Sequence, residues 1–507
     1  MPVSILVVAF AAALAALYAP RVINPLRFPL VFVTGVLAVG LLNLWFLFLS
    51  RFTWRAKGLG VALQLVVVVA LASCFTFKAN GFTSDSLPEL TFRWSKPADA
   101  VLPVVSKVPE AARVDLTRTT AQDFPKFLGP DGDARVVGCK LETDWKAHPP
   151  REVWRKPIGA GWSAFAVVGD YGVTQEQRGN EELVTCYDLK NGEILWTHAD
   201  SGRFSEAMGG DGPRSTPTIF EGRVYVTNAF GLLHCLDGST GKPIWTRDTL
   251  TENSAKLPVW AKSCSPLIVD DLVVVTLSEE PHTKSLAAYF RDSGKPAWVA
   301  GNDGSSYATP VVAELAGRRQ IICCNDQSVS GHDIRTGAVL WELPYSGIIK
   351  KCSNPIVISP TEVLFSASYG TGTMLVRVTP QGDGFNVEKV WSAPVLMRTR
   401  YTNAVVHGGH VYGLDDGILQ CADLKTGKSK WKNGRYGHGQ VLLVDDLLVV
   451  QAEKGYIALV AADPKKFQEL SRLNALAGKT WNTSVVAGNR LLVRNSEEAV
   501  LYELPTK

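Results

Sequence analysis

The feature that most constrains this 507-residue chain is a repeat that fills its C-terminal two-thirds. The spacing D-x-x-x-G-x-x-x-W recurs as Asp188, Gly192 and Trp196 in CYDLKNGEILW, and as Asp237, Gly241 and Trp245 in CLDGSTGKPIW. It returns as Asp333, Gly337 and Trp341 in GHDIRTGAVLW, and as Asp423, Gly427 and Trp431 in CADLKTGKSKW. A weaker copy keeps Gly294 and Trp298 with Phe290 in the Asp place, and degenerate copies end at Trp391 and near Leu470. The chemistry is that of a tight hairpin. Asp accepts backbone N–H bonds across the turn, and Gly supplies the positive φ that other residues resist. Trp then stands on the following strand, where its ring can fill the wedge between neighbouring sheets. Two alternating apolar stretches precede each hairpin, such as TPTIFEG with RVYVTN, so each unit has four short antiparallel strands.

Outer strands fall at Trp154, Trp196, Trp245, Trp298, Trp341, Trp391, Trp431 and near Leu470. The repeat is then about 45 residues long, the usual size of a four-stranded propeller blade. EVWRKP has no unit before it, while the final stretch TWNTSVVAG, RLLVRN and AVLYELP supplies only three strands. The strand at Val153–Lys156 therefore completes the last blade, closing the ring and removing both sheet edges. The expected fold of 151–507 is an all-β, eight-bladed propeller. Seven blades is the alternative if Tyr436 to Leu473 is irregular.

Most of the excess hydrophobicity lies before residue 78. Runs at 3–19, 28–49 and 59–77 carry no charge, and about 20 apolar residues cross a bilayer as a helix. The second and third read as spans. The first reads as a retained helix, because no Lys or Arg precedes it and no A-x-A site follows; a signal peptide is the alternative. Arg51, Arg55 and Lys57 outnumber Arg21 and Arg27, which puts the second loop in the cytoplasm. The remainder then faces the periplasm or exterior, with residues 1–78 as an anchor in the inner membrane. Trp45 and Trp54 flank the loop end of the second span, where interfacial aromatics belong. Residues 79–150, with Pro88, Pro97, Pro103, Pro109 and Pro125, read as an extended linker that becomes ordered near Phe124–Gly132.

A net charge of +4, from 52 basic and 48 acidic residues, is too balanced for a nucleic-acid partner. Nine scattered cysteines include no C-x-x-C pair for zinc or haem. Cys186, Cys235 and Cys421 share one repeat position and read as small buried residues. His407 and His410 bracket a Gly-Gly turn without further ligands, so no metal is expected there.

The A/C-x-D-x-x-T/N-G-x-x-x-W pattern resembles the pyrroloquinoline-quinone (PQQ)-type propeller repeat. FLGPDGD and PPREVWRKPIGAGWSAF resemble the opening of membrane-anchored bacterial PQQ-binding-like repeat proteins. That repeat builds quinoprotein alcohol and glucose dehydrogenases and also the non-catalytic lipoprotein of the outer-membrane β-barrel assembly machinery. In such propellers ligands sit at the channel mouth, on the connections between blades and on the loops joining second to third strands. EQRGNEE and HADSGRFSEAMGGDGPRS read as long loops there, contributing Glu176, Arg178, Arg203, Glu206 and Arg214. Later connections add Trp260, Lys262, Lys350, Lys351, Arg398, Arg400, His438, Trp481 and Asn482. A basic ring over an apolar floor suits a carboxylate ligand, and PQQ is a tricarboxylate. The plain alternative is a rim of solvated charges with local ion pairs.

The resemblance implies PQQ with calcium only if Glu, Asn and Asp oxygens and a catalytic Asp converge, and no such set aligns. Cys323–Cys324 is similar to the vicinal disulfide of the alcohol dehydrogenases, but it lies in RQIICCNDQ, which reads as a buried strand of the fourth blade. The expected function is an extracytoplasmic, membrane-anchored platform for a protein or small anion. A PQQ-dependent dehydrogenase of alcohols or sugars is the alternative, and no catalytic residue is assigned.

Overall fold

Each Asp–Gly–Trp unit folds as the hairpin between the third and fourth strands of a blade. The computed structural model describes residues 2–18, 24–82, 88–102, 114–206, 208–278 and 283–507. Arg21, Pro103 and Pro109 lie outside them. The chain divides into two compact units, 1–97 with 205–210, and 98–204 with 211–507.

In the first unit the apolar runs form helices at Pro2–Tyr18, Asn24–Leu44 and Trp54–Cys74, the second continued by a π turn at Trp45–Leu49. Val31–Leu49 and Trp54–Cys74 are long and apolar enough to cross a membrane. The third helix begins at Trp54 rather than Leu59 because Thr53 caps it, its Oγ1 accepting from Ala56 N at 3.3 Å. It stops at Cys74, short of Phe77, because the β-prone Phe75, Thr76 and Phe77 pair with Leu90, Thr91 and Phe92 in a hairpin.

The second unit is a ring of eight four-stranded antiparallel blades. Blade one spans 166–201, two 218–248, three 267–300, four 311–344, five 356–393 and six 405–435. Blade seven, 440–474, is regular, which removes the seven-blade alternative. Blade eight takes three strands from 485–503, and Arg151–Pro157 pairs with Glu498–Glu503 as its fourth, Trp154 standing opposite Leu501.

The hairpins explain the repeat. Asp237 Oδ1 accepts from the N–H groups of Ser239 and Thr240 at 3.1 and 2.9 Å, and Gly241 N donates to Asp237 O at 2.8 Å. Gly241 has φ 71°, and a Cβ there would lie 2.5 Å from the Trp196 ring of the preceding blade. The glycine is therefore needed twice, for its backbone and for a close approach. Each Trp also donates its indole N–H into the next blade's hairpin: Trp154 to Leu189 O, Trp196 to Gly238 O, Trp245 to Arg291 O and Trp298 to Ile334 O, at 2.8–3.0 Å. Trp341 departs from this. Blade five turns at Gly382 without the D-x-x-x-G unit, and the Trp341 indole donates instead to Gln320 within its own blade, at 2.6 Å.

The extended-linker reading holds poorly after residue 113. Val114, Leu116, Phe124, Leu128 and Trp145 are buried against the propeller, and Phe124 exchanges both backbone hydrogen bonds with Val167. Arg135–Val136 adds a parallel fifth strand to blade seven. The prolines forbid a helix here, but the apolar residues between them still need cover, so the chain lies along the blades.

Candidate functional site

Strands reverse direction within a blade, so the connections between blades leave the ring at the same end as the turns joining second to third strands. The Asp–Gly hairpins lie at the other end. Every propeller residue singled out from the sequence as a ligand candidate falls at the first end. His407 and His410, facing each other across a first-to-second strand turn, belong to the second.

A chain of inter-blade hydrogen bonds holds the mouth. Ala164 N donates to Thr216 Oγ1, Thr216 N to Ser265 Oγ and Ser265 N to Thr309 Oγ1, at 3.0–3.1 Å. Thr309 N then donates to Asn354 Oδ1 and Asn354 N to Asn403 Oδ1, at 2.9 and 2.8 Å. One polar side chain per blade thus satisfies the preceding blade's entering backbone, from blade one to blade six.

Glu176 and Arg178 are not on a loop. They sit in the strand Tyr171–Arg178, which turns directly through Gly179 and Asn180 into Glu181–Asp188. Two positions apart on a strand, they share a face and form a buried ion pair at 3.1 Å. Glu176 also accepts from Thr185 Oγ1, Tyr187 OH and Gly159 N. Burial raises its pKa, but Arg178, Arg494 and these donors outweigh that and hold the carboxyl below its ordinary range. His198–Ser201 likewise belongs to the outer strand Ile194–Ser201 rather than to the loop expected there.

The other cations are engaged by the protein. Arg203 bonds Asp99 and Asp211 at 2.6 and 2.7 Å, Lys350 meets Asp326 at 2.7 Å, and Arg398 grips Asp415 and Asp416 at 2.7 and 3.0 Å. Arg400 lies 3.5 Å from Asp416 and over the Tyr369 ring. Arg214 donates to Gly212 O and stacks on Phe204. Lys262 and Lys351 are buried, donating to the carbonyls of Thr276 and Leu277, and of Asn325 and Asp326. Burial pushes Lys262 down to about 8. Glu206, in the first unit, accepts from the backbone of Met208 and Gly209.

An aromatic belt stands where a basic ring was expected. Trp162 and Trp481 approach with centroids 5.0 Å apart, Trp481 and Tyr401 4.8 Å, and Lys479 lies 3.9 Å over Trp481. Trp481 donates to Glu453 Oε1 at 2.9 Å, and Glu453 also accepts from His438 N. Burial first, then Arg400, lowers the His438 imidazole to about 4. Trp260 lies tilted against Tyr307 with centroids 5.6 Å apart, and Asn482 donates to Gly161 O and Ser163 O. Trp162, Tyr401 and Lys479 were missed in the sequence. A register signal for two of them exists: Trp162, Arg214, Tyr307 and Tyr401 each stand two residues before Ala164, Thr216, Thr309 and Asn403. Leu257, Val259, Ile348 and Val395, beyond the belt, and Tyr401 within it are exposed on blade-to-blade connections of this end, Ile348 at 90% and Val395 at 75%.

These residues do not fit PQQ with calcium. Glu176 is saturated by protein donors, Asn482 is turned onto backbone carbonyls, and Arg178, Arg203 and Arg398 already hold carboxylates. Cys323 and Cys324 are buried free thiols on the strand Arg318–Cys324.

A family model described as outer membrane protein assembly factor BamB matches residues 147–433. The chain is 23% identical to the outer membrane protein assembly factor BamB of Burkholderia pseudomallei over 389 residues, covering 73% of this chain and 91% of that protein. It is 22% identical to the same factor of Shewanella oneidensis over 340 residues, 61% of this chain and 77% of that protein. The BamB crystal structure from Moraxella catarrhalis superposes with a TM-score of 0.51 at 16% identity, over 70% of this chain and 98% of that one. The quinohemoprotein alcohol dehydrogenase of Comamonas testosteroni gives 0.56 at 11% identity, over 79% and 82%. At these identities both structures speak for the propeller fold alone.

Proposed function

From the premise that this chain belongs to the family of the outer membrane protein assembly factor BamB, we propose that its propeller is a protein-docking platform in outer-membrane protein assembly. The observation that carries this reading is the exposure of Leu257, Val259, Ile348, Val395 and Tyr401 on connections of one end, around a mouth whose charges are largely engaged internally. Apolar side chains held out on rigid connections favour a protein surface over a small anion. The helices Val31–Leu49 and Trp54–Cys74 are the proposed inner-membrane anchor, with the propeller on the periplasmic side.

The test is co-purification of full-length protein with outer-membrane β-barrel precursors. Ile348→Asp combined with Val395→Asp removes the association, whereas Ile244→Asp, on the outer strand of blade two, keeps it. Equal retention by both variants refutes the platform reading. Protease digestion of intact and permeabilised cells checks the orientation: a propeller degraded only after the inner membrane is opened is on the wrong side.

A further inference from the structure

We infer that His198, Asp200, His234 and Glu182 form a binding site for one divalent transition-metal ion of the zinc class, between blades one and two. His198 and Asp200 are two positions apart on the outer strand of blade one, so both project from one face. Glu182 stands directly opposite Asp200 in the strand register, which places it on that same face. His234 comes from the third strand of blade two. The ligand atoms of the two histidines and Asp200 all lie within 4.8 Å of one another.

The spacing suits a coordination shell. Four ligands about 2.0–2.2 Å from a tetrahedral zinc stand about 3.4 Å apart. His198 Nε2 is 3.6 Å from Asp200 Oδ1, and His234 Nε2 is 2.8 Å from Asp200 Oδ2. The two histidines and Asp200 are thus near the spacing of a shell, and Glu182 would complete it by turning its carboxylate toward Asp200. The supporting contacts are of the kind that orient ligands. His234 Nδ1 lies 2.9 Å from Thr246 Oγ1, which can accept a hydrogen bond from Nδ1–H and so leave Nε2 with the free lone pair. Asn228 Nδ2 donates to Asp200 Oδ2 at 2.9 Å, and Ala229 N donates to Glu182 Oε1 at 2.8 Å.

A second observation points to a ligand rather than to an Asp–His pair. His198 Nε2 and Glu182 Oε2 are both buried without a hydrogen-bond partner among the described residues, and Glu182 is only 3% exposed. A structural pair of His234 with Asp200 leaves both atoms unsatisfied, one on either side of Asp200 on the same sheet face, which is costly. A cation satisfies both. Two carboxylates and two neutral imidazoles balance two positive charges, and the imidazoles select zinc-class ions over calcium or magnesium. The ion would clamp two blades where the chain leaves blade one. Spacing in the sequence carries no such signal, because His234 comes from the next blade.

The experiment uses untagged full-length protein in detergent, stripped with a chelator. Zn²⁺ is titrated by calorimetry, and Co²⁺ by its visible absorption. The expected result is about one equivalent bound, with the intense bands of tetrahedral cobalt. His198→Asn, which removes an imidazole whose Nε2 stands 3.6 Å from Asp200 Oδ1, should weaken zinc by at least about 100-fold. Should that variant fail to fold, the near-isosteric Glu182→Gln replaces it, with a loss of at least about 10-fold. Absence of zinc binding to wild type below about 100 µM, or equal zinc affinity in wild type and the folded variant, overturns the assignment.

Discussion

The two ends of the propeller are made from the same strands yet follow different rules. At the hairpin end, Gly192, Gly241, Gly294, Gly337 and Gly427 all take φ between 64° and 72°, each against the Trp of the preceding blade. At the mouth, equivalent positions carry Trp162, Arg214, Tyr307, Tyr401 and Trp481, with no single contact repeated from blade to blade around the ring. Repetition at one end sets the distance between blades, and that frees the other end to vary. Trp341 makes the dependence visible. Where the blade-five hairpin lacks the D-x-x-x-G unit, the indole finds its acceptor inside blade four.

The largest effect expected is at the hairpin end. Trp196→Ala opens a cavity between blades and orphans Gly238 O, costing about 3–5 kcal/mol, read from the denaturant midpoint of the full chain. Gly241→Ala should cost clearly more than Gly382→Ala. Both have positive φ, but only the first meets a Trp ring, while the second has nothing within 4 Å and should lose about 1 kcal/mol. Equal losses would mean that backbone strain alone, and not the Trp contact, fixes the glycine.

The mouth end answers to charge instead. Glu176→Gln leaves Arg178 and Arg494 buried without their counter-ion, and should cost about 3 kcal/mol in the same measurement. Lys262 sharpens the contrast through pH. Its ordinary value is 10.5 and burial lowers it to about 8. Between those values the unfolded chain holds a proton that the folded one has released, so stability rises as pH climbs through that window. The gain is about 3 kcal/mol, and it should be absent in Lys262→Met. A flat difference between wild type and variant from pH 7 to pH 10 would contradict the buried placement. The smallest effect is none: PQQ with Ca²⁺ should leave the thermal midpoint where it was, and a rise of several degrees would reopen the dehydrogenase reading.

What could be read beforehand follows the same division. Asp237 bonds its own turn and Gly241 packs on the residue 45 positions earlier, so spacing along the chain reports both, along with blade number and closure by Trp154. Mouth contacts are made between blades or across hairpins. Arg398 meets Asp415 and Asp416 through folding, and nothing in their separation distinguishes that pair from a free rim charge. Glu176 and Arg178 were legible in part, since an i, i+2 pair of opposite charge beside Tyr171–Thr174 fits one strand face as well as a loop. Val114 to Trp145 escaped because proline content speaks to helix and not to burial.

The strand Arg151–Pro157 has a consequence for how the protein is made. Its partner in blade eight, Glu498–Glu503, is far along the chain, with Arg151 and Glu503 separated by 352 positions. A ribosome delivers the first strand long before the last, so an emerging chain can stack blades but cannot lock them. Until closure, blade eight has no fourth strand and the Trp154 indole approaches Leu189 from an untethered segment. Delivery of residues 498–503 is thereby coupled to ring closure, and a nascent chain stalled before residue 498 is left open to proteases at the seam.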